Sequence, residues 1–228
     1  MDIHTRSEQL SSAMNMKDQC NPCHKCRAED GSAEIAGFVL AGGTSSRLGF
    51  DKAELIFEET GVSLLTKTAR LLDAVIPGVC VCGREHGEFS SLPDDLPGKG
   101  PVGAITTALR HSGKACFILA CDMPFMDERT LRLLLAAWTR RKKDTLVTAF
   151  VHQHTGQKEN LVAIYEQGAL RFLEPTLKAD LLKIGLVIPE KFYNAVPVPS
   201  YAHDTFRNIN YPDEFDEIQS MGIFRNLL

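Results

Sequence analysis

A short apolar run at residues 35–40 ends abruptly in Ala41-Gly42-Gly43, and a polar segment carrying Arg47 and Lys52 follows it. An apolar run of this length that stops at glycines indicates a buried β-strand ending in a turn. Small residues let backbone N–H groups approach a ligand closely, and the two cations give the loop positive charge. The sequence therefore predicts an anion-binding loop after the first strand.

The sequence of this loop disfavours two common classes of nucleotide-binding protein. From Leu40 to Lys52 the chain reads LAGGTSSRLGFDK, which matches neither G-x-G-x-x-G nor G-x-x-x-x-G-K-[ST]. A dinucleotide-dependent dehydrogenase and a P-loop ATPase are therefore both disfavoured. The later run from Gly78 to Gly83 has P-loop glycine spacing without the Lys-[Ser/Thr] pair, and we interpret it as chance.

Strands and helices alternate along the rest of the chain. Further strands are predicted at residues 79–82, 116–120, 146–151 and 161–165, with the last two as a candidate antiparallel pair. Helices are predicted to begin at Ser63, Pro101, Asp127 and Pro212. This alternation predicts an α/β fold, a three-layer sandwich with a mostly parallel sheet and helices on both faces.

Charge and composition limit the classes of partner that this chain is expected to bind. With 25 Lys+Arg against 29 Asp+Glu, the net charge of −4 offers no extended basic field for a nucleic-acid backbone. No window approaches the ~20 consecutive apolar residues of a membrane span, and the polar N-terminus does not read as a secretory signal. We expect a cytoplasmic protein that binds neither nucleic acid nor membrane.

The first 33 residues contain few branched apolar side chains, so we expect a flexible extension at 1–33 and one domain at 34–228. The extension holds Cys20, Cys23 and Cys26 at three-residue spacing, with His24 between them. Such spacing suits a metal, although a tetrahedral zinc site needs a fourth ligand. Exposed thiols in an unstructured tail and metal binding both remain open.

Two later strand ends also carry chemistry. Asp94 precedes a glycine-rich turn, Gly98 to Gly103, that leads into a helix N-terminus, a geometry able to bracket a base or ribose. Asp122 stands at the end of a buried strand and is followed by Met-Pro. A lone carboxylate there suits Mg²⁺, which keeps most of its waters and takes one or two protein oxygens plus phosphate.

The order of these motifs, LAGG-x3-R-x-G-x-DKA, G-x-GPVG, CD-x-P and a late Asn-x-Asn-x-Pro-Asp, resembles the molybdenum cofactor guanylyltransferase family over about residues 35–220. The resemblance implies a Rossmann-like nucleotidyltransferase fold, GTP and molybdopterin as substrates, Mg²⁺, and pyrophosphate as the leaving product. It also implies partners in molybdoenzyme maturation.

The resemblance carries roles onto matching positions. It implies that Arg47, Lys52 and Asp122 are catalytic, with both cations on the phosphates and Asp122 on magnesium. The nucleotide- and pterin-binding positions that it implies are Leu40, Ala41, Gly42, Gly43, Lys52, Asp94, Gly100, Pro101, Gly103, Asn208 and Asn210. The terminal phosphate of molybdopterin would attack the α-phosphorus of GTP, so no covalent enzyme nucleophile is required.

Two alternatives stay open at this level. A cytidylyl- or sugar-nucleotide transferase is disfavoured by the double glycine at Gly42-Gly43, where such relatives commonly have Ala-Gly. A non-catalytic nucleotide-binding accessory protein is disfavoured by the joint presence of the three implied catalytic side chains. The pair His152 and His154 is interpreted as a hydrated strand end, because no third metal ligand is nearby.

Overall fold

The computed structural model describes residues 34–42, 51–202, 204–209 and 212–223. The predicted extension at 1–33 with its three cysteines lies outside these residues, and so do Gly43, Arg47 and Asn210. The strands are β1 (Ile35–Leu40), β2 (Cys80–Cys82), β3 (Ser90–Leu92), β4 (Ala115–Ala120), β5 (Val147–Val151), β6 (Lys158–Tyr165) and β7 (Tyr193–Pro197). The α-helices are α1 (Leu64–Asp73), α2 (Gly100–Ser112), α3 (Glu128–Thr139), α4 (Leu170–Lys178) and α5 (Pro212–Ser220).

The seven strands of the described residues form one sheet in the order β3-β2-β1-β4-β6-β5-β7. All neighbours are parallel except β6, which runs antiparallel to both β4 and β5. The turn from His152 to Gln157 explains the exception, because a short hairpin joins only antiparallel strands. The prediction of a mostly parallel sheet with an antiparallel pair is confirmed.

Helices cover both faces of this sheet, as predicted. Helices α1 and α3 pack on one face against Val39, Phe117 and Leu119, and α2 and α4 pack on the other against Phe38, Cys116 and Ile118. Alternate residues of β1 and β4 thus point to opposite layers, so both strands read as continuous apolar runs. The central strand β4 is buried along its whole length.

Three of the predicted helix starts carry the expected chemistry. The Ser63 hydroxyl accepts from the Thr66 N–H at 3.1 Å, and the Asp127 carboxylate accepts from the Thr130 N–H at 2.7 Å. Pro101 lies in the first turn of α2, where its missing N–H leaves no helical bond unmade. These N-caps and the proline fix where each helix leaves the sheet.

The sheet presents one edge on which β1, β2, β3, β4 and β5 end and β6 begins, and we call it the carboxyl edge. From β1 the chain moves outward through β2 to β3 and then crosses back to β4 on the other side of β1, so the strand order reverses at β1. In open α/β sheets ligands bind at the carboxyl edge beside such a switch point. By this rule the fold predicts a ligand site over the ends of β1 and β4.

Candidate active site

The site begins with a close approach between the chain after β1 and the chain after β2. The Ala41 N–H donates to the Cys82 carbonyl at 2.9 Å, which extends the parallel pairing beyond β1. Gly83 has φ +92°, and a Cβ built on it would lie 2.6 Å from Gly42 Cα. The glycines therefore let two backbones touch where the predicted anion-binding loop begins.

Arg84 links the two ends of that loop, defined here as the chain between Gly42 and Asp51. Its Nε donates to the Ala41 carbonyl at 3.1 Å, and its Nη2 donates to Asp51 Oδ2 at 2.7 Å. Its Nη1 reaches Glu54 Oε1 at 3.2 Å. This role of Arg84 was not predicted from the sequence, because it arises from the pairing of segments that lie far apart along the chain.

A short 3₁₀ turn after the loop positions Lys52. Asp51 accepts the Ala53 N–H on its side chain at 3.0 Å and caps the short 3₁₀ turn Lys52–Glu54. Ala53 is buried under the sheet face that α1 covers, which anchors the turn. The Lys52 ammonium then lies 3.7 Å from Asp122 Oδ2, with side chains only 18% and 20% exposed.

Asp122 is held at the end of β4 by backbone bonds on two sides. The preceding residue, Cys121, donates its N–H to the Leu40 carbonyl of β1 at 3.3 Å. The Asp122 carbonyl accepts the Ile209 N–H at 3.0 Å, which brings the late Asn-x-Asn segment to the same place. Burial raises the pKa of the Asp122 carboxyl, and the Lys52 charge offsets part of that rise.

Two oxygens at this point have no hydrogen-bond partner within the described ranges. They are Asp122 Oδ1 and Asn208 Oδ1, and both are buried. A buried polar atom without a partner is costly, and native proteins usually explain it by a function or an unseen ligand. Carboxylate and amide oxygens are the donors that Mg²⁺ takes from proteins, so this pair fits the predicted metal.

Beyond β3, Asp94 has a local structural role. Its Oδ1 accepts the Leu96 N–H at 2.9 Å and the Thr107 hydroxyl at 3.3 Å, which ties the glycine-rich turn to α2. Gly103 packs so tightly on this turn that an added Cβ would lie 3.0 Å from the Leu96 carbonyl oxygen. The turn is thus built rigidly at the β3 side of the carboxyl edge.

Similarity to known proteins identifies the family of this chain. The family model of the MobA-like NTP transferase domain matches residues 37–185, which is more than half of the chain. This chain belongs to the MobA-like NTP transferase family. The recognition made from the loop motifs is confirmed, and the protein is a nucleotidyltransferase.

Two relatives and one solved structure align with this chain over nearly their whole length. A probable molybdenum cofactor guanylyltransferase of Geobacillus sp. is 30% identical over 196 residues, covering 81% of this chain and 98% of that protein. A second one, from Pelotomaculum thermopropionicum, is 28% identical over 205 residues, covering 83% and 94%. In structure, molybdopterin-guanine dinucleotide biosynthesis protein A from Archaeoglobus fulgidus superposes with a TM-score of 0.64 at 24% identity, covering 82% and 97%.

The structure brings together part of the site predicted for this NTP transferase. Lys52, Asp122 and Asn208 converge, and Leu40, Ala41 and Gly42 form the adjacent stem of the loop. Asp94, Gly100, Pro101 and Gly103 form a separate group at the end of β3. Arg47, Gly43 and Asn210 lie outside the described residues, so their roles stay predictions.

The two histidines interpreted from the sequence as a hydrated strand end differ in their surroundings. His152 hydrogen-bonds to Glu159 at 2.7 Å, whereas His154 is exposed. No cluster of three or more His, Cys, Asp or Glu side chains suited to a metal occurs in the described part of the chain. Among the cysteines of the described residues, Cys80, Cys82 and Cys116 are buried and Cys121 is partly buried. Among the described residues no helix combines the length and apolar character that a membrane crossing requires.

Proposed function

We propose that this protein transfers GMP from GTP to molybdopterin, giving the guanine dinucleotide form of the cofactor and pyrophosphate. The observation that carries the proposal is the convergence of Lys52 and Asp122 at 3.7 Å beside the glycine loop after β1. A cation and a metal-binding acid beside a loop of small residues suit a triphosphate. The relatives named probable molybdenum cofactor guanylyltransferase support guanine and molybdopterin as its substrates.

The reaction needs positioning and charge compensation rather than a protein nucleophile. A phosphate oxygen of molybdopterin forms a bond to the α-phosphorus of GTP as the bond from that phosphorus to the bridging oxygen breaks. Pyrophosphate leaves with the electron pair. The attacking monoester is already largely ionised at neutral pH, since its second pKa is about 6, so no general base is required.

Each charged group has a part in this displacement. Lys52 would place its ammonium on the phosphoryl oxygens, and its partial burial strengthens that interaction. We assign Arg47 to the departing pyrophosphate, as the loop motif implies, because a guanidinium binds two phosphate oxygens at once. Asp122 and Asn208 would hold Mg²⁺, which when bound neutralises charge on the phosphate oxygens.

The nucleotide would lie over the ends of β1, β2 and β3. We assign the guanosine portion to the rigid turn held by Asp94, at Gly100, Pro101 and Gly103. Support comes from the helix N-terminus there, where backbone N–H groups face the edge. We place the reaction in the cytoplasm, where partners in molybdoenzyme maturation would receive the product.

The alternative of a cytidylyl- or sugar-nucleotide transferase is distinguished by the nucleotide that the protein uses. The decisive experiment incubates the protein with molybdopterin, Mg²⁺ and each nucleoside triphosphate in turn. Pyrophosphate release and a guanine dinucleotide with GTP alone are expected.

Other outcomes of that experiment would replace the proposal. Turnover with CTP and none with GTP would make the protein a cytidylyltransferase. Tight GTP binding without pyrophosphate release would favour a non-catalytic accessory protein. In every arm, a reaction without molybdopterin measures background hydrolysis.

A further inference from the structure

A buried acid and a histidine stand as a pair at the carboxyl edge, on the side away from the proposed nucleotide. His152 follows β5, and its Nε2 lies 2.7 Å from Oε1 of Glu159 in β6. The Glu159 side chain is only 12% exposed and that of His152 is 25% exposed. A mostly buried carboxylate is costly, and the one hydrogen bond that the described residues give it offsets only part of that cost.

An irregularity in the pairing of β5 and β6 lies beside this pair. The β5–β6 register shifts between Ala149 and Val151, so β6 carries extra residues opposite this point. Such bulges re-aim side chains and occur often beside active sites. The His152 ring then packs edge-on against Phe206, with ring centroids 5.7 Å apart.

Phe206 connects the pair to the metal-binding candidates. It is buried against the same sheet face as Phe150 and immediately precedes the Arg207-Asn208-Ile209 segment. The Ile209 N–H donates to the Asp122 carbonyl, so a continuous series of contacts leads from the histidine through Phe206 to Asp122. The pair is therefore linked, through Phe206 and the segment that follows it, to the backbone of Asp122.

We propose that Glu159, oriented by His152, binds the pterin ring of the acceptor substrate. A pterin presents an exocyclic amino group next to a ring N–H, and two neighbouring donors match the two oxygens of one carboxylate. His152 donates to Oε1, whose remaining lone pair and the other oxygen can still accept. This inference rests on the proposed function and names the part of the acceptor that these residues recognise.

Position selects the pterin over the guanine base, which has the same donor edge. The nucleotide is assigned to the ends of β1 to β3, whereas His152 and Glu159 lie across β4 from it. In an in-line displacement the acceptor enters opposite the leaving pyrophosphate. β5 lies two strands from β4, about 10 Å at ~4.8 Å per strand. That distance suits a fused heterocycle whose phosphate reaches Asp122.

The alternative explanation is that the His152–Glu159 pair only stabilises the hairpin between β5 and β6. In that case substitution lowers the stability of the protein and leaves its ligand preference unchanged. A binding pair predicts that preference follows the hydrogen-bonding pattern of the ring. The matching lumazine carries a carbonyl oxygen where a pterin carries the amino group, and it therefore tests donor recognition directly.

The experiment titrates hydroxymethylpterin and hydroxymethyllumazine into the full-length protein with Mg²⁺ and GTP, following the fluorescence of each ring. Wild-type protein should bind the pterin at least about 10-fold more tightly, since a buried hydrogen bond to a charged group is lost with the lumazine. In Glu159→Gln, which offers one acceptor and one donor, this preference should disappear or reverse. His152→Gln should reduce it by roughly 3-fold, because the carboxylate is less firmly oriented.

Kinetics separates this inference from the proposed function. Glu159→Gln should raise the KM for molybdopterin roughly 10- to 100-fold while the KM for GTP changes less than about 2-fold. The control is Glu174→Gln, an exposed acid paired with Arg110 on the face that α2 and α4 cover, which should change neither. Equal affinity of the wild-type protein for both rings overturns the inference without any variant.

Two further results are decisive. An increase in the GTP KM of Glu159→Gln would show that the carboxylate recognises guanine and would overturn the assignment. If GMP transfer fails while pterin preference depends on Glu159, the proposed function falls and the ring-binding site stands. If transfer succeeds and Glu159→Gln matches wild type, only the site is lost.

Discussion

Arg84 donates a hydrogen bond to Asp51 at 2.7 Å, joining the chain after β2 to the residue that ends the predicted anion-binding loop. The same guanidinium bonds to the Ala41 carbonyl at the start of the loop. A single exposed ion pair contributes little, but this side chain is only 24% exposed and makes three bonds. Arg84 therefore sets the separation of the two loop ends and, through Asp51, the position of Lys52.

Replacing Arg84 should impair catalysis more than stability. We expect Arg84→Gln to lower kcat/KM for GTP by about 10- to 100-fold, equivalent to ~1.4–2.8 kcal/mol, because Lys52 loses its fixed position. Arg84→Lys should recover part of the loss, since an ammonium bonds to Asp51 but cannot span all three partners. Steady-state kinetics with varied GTP measures both.

The matched control for Arg84 is Arg70→Gln. Arg70 also makes a guanidinium–carboxylate pair, with Glu88 at 2.8 Å, but it lies on the exposed face of α1. Equal losses in the two variants would mean that Arg84 acts through surface charge alone.

Gly83→Ala should destabilise the protein through backbone contact. The new Cβ would lie 2.6 Å from Gly42 Cα and 2.8 Å from Gly42 N, and Gly83 also has positive φ. Neither backbone can yield without breaking the Ala41–Cys82 bond, so we expect a loss of about 2–4 kcal/mol in unfolding free energy. Chemical denaturation measures it. Gly87→Ala, with open space around the added Cβ, should change stability by less than about 1 kcal/mol.

Local sequence signals were enough to predict the main layers of the fold. Ser63 and Asp127 cap their helices as expected, and the apolar runs of β1 and β4 are the buried centre of the sheet. The edge strands β3 and β7 were missed, because β3 has only three residues and β7 alternates weakly in burial. Helix α4 was missed too, since Pro175 stands inside it and argues against a helix in a local reading.

The site was predicted only as far as local motifs reach. Lys52 and Asp122 follow strand ends, and the rule that parallel strands bring their carboxyl ends together was sufficient to pair them. The bonds from Arg84 to Ala41 and Asp51 depend on which strands are neighbours, and the His152–Glu159 pair depends on a hairpin register. Neither follows from spacing along the chain.

Removing the charge of either Lys52 or Arg47 should slow the chemical step. We expect Lys52→Ala and Arg47→Ala each to lower kcat by about 10²–10³-fold, or ~3–4 kcal/mol, because each is assigned to charge that develops on phosphate. Single-turnover measurements at saturating GTP isolate this step. Lys142→Ala, in the exposed turn after α3, should retain wild-type kcat. Near-normal turnover in either loop variant would remove that residue from the mechanism.

Asp122→Asn separates the stability of the site from its activity. Burial raises the pKa of Asp122 in the folded state, so the folded protein holds this proton more tightly than the unfolded chain does. The resulting stabilisation is complete below the ordinary aspartate pKa of about 4 and is lost as pH rises through the raised value. At neutral pH the wild-type protein therefore carries a buried charge that Lys52 compensates only in part.

We accordingly expect Asp122→Asn to have a higher Tm than wild type at pH 7 without Mg²⁺, and this difference to shrink toward pH 4. Adding Mg²⁺ and GTP should raise the Tm of wild type and leave the variant unchanged, because ligand binding stabilises only the form that binds it. Transfer activity should fall at least about 10²-fold. Asp144→Asn, an exposed acid in the turn before β5, serves as the control and should match wild type throughout. An Asp122→Asn protein that is less stable than wild type at pH 7 would mean that Lys52 compensates the carboxylate fully, and retained activity would exclude Asp122 as the metal ligand.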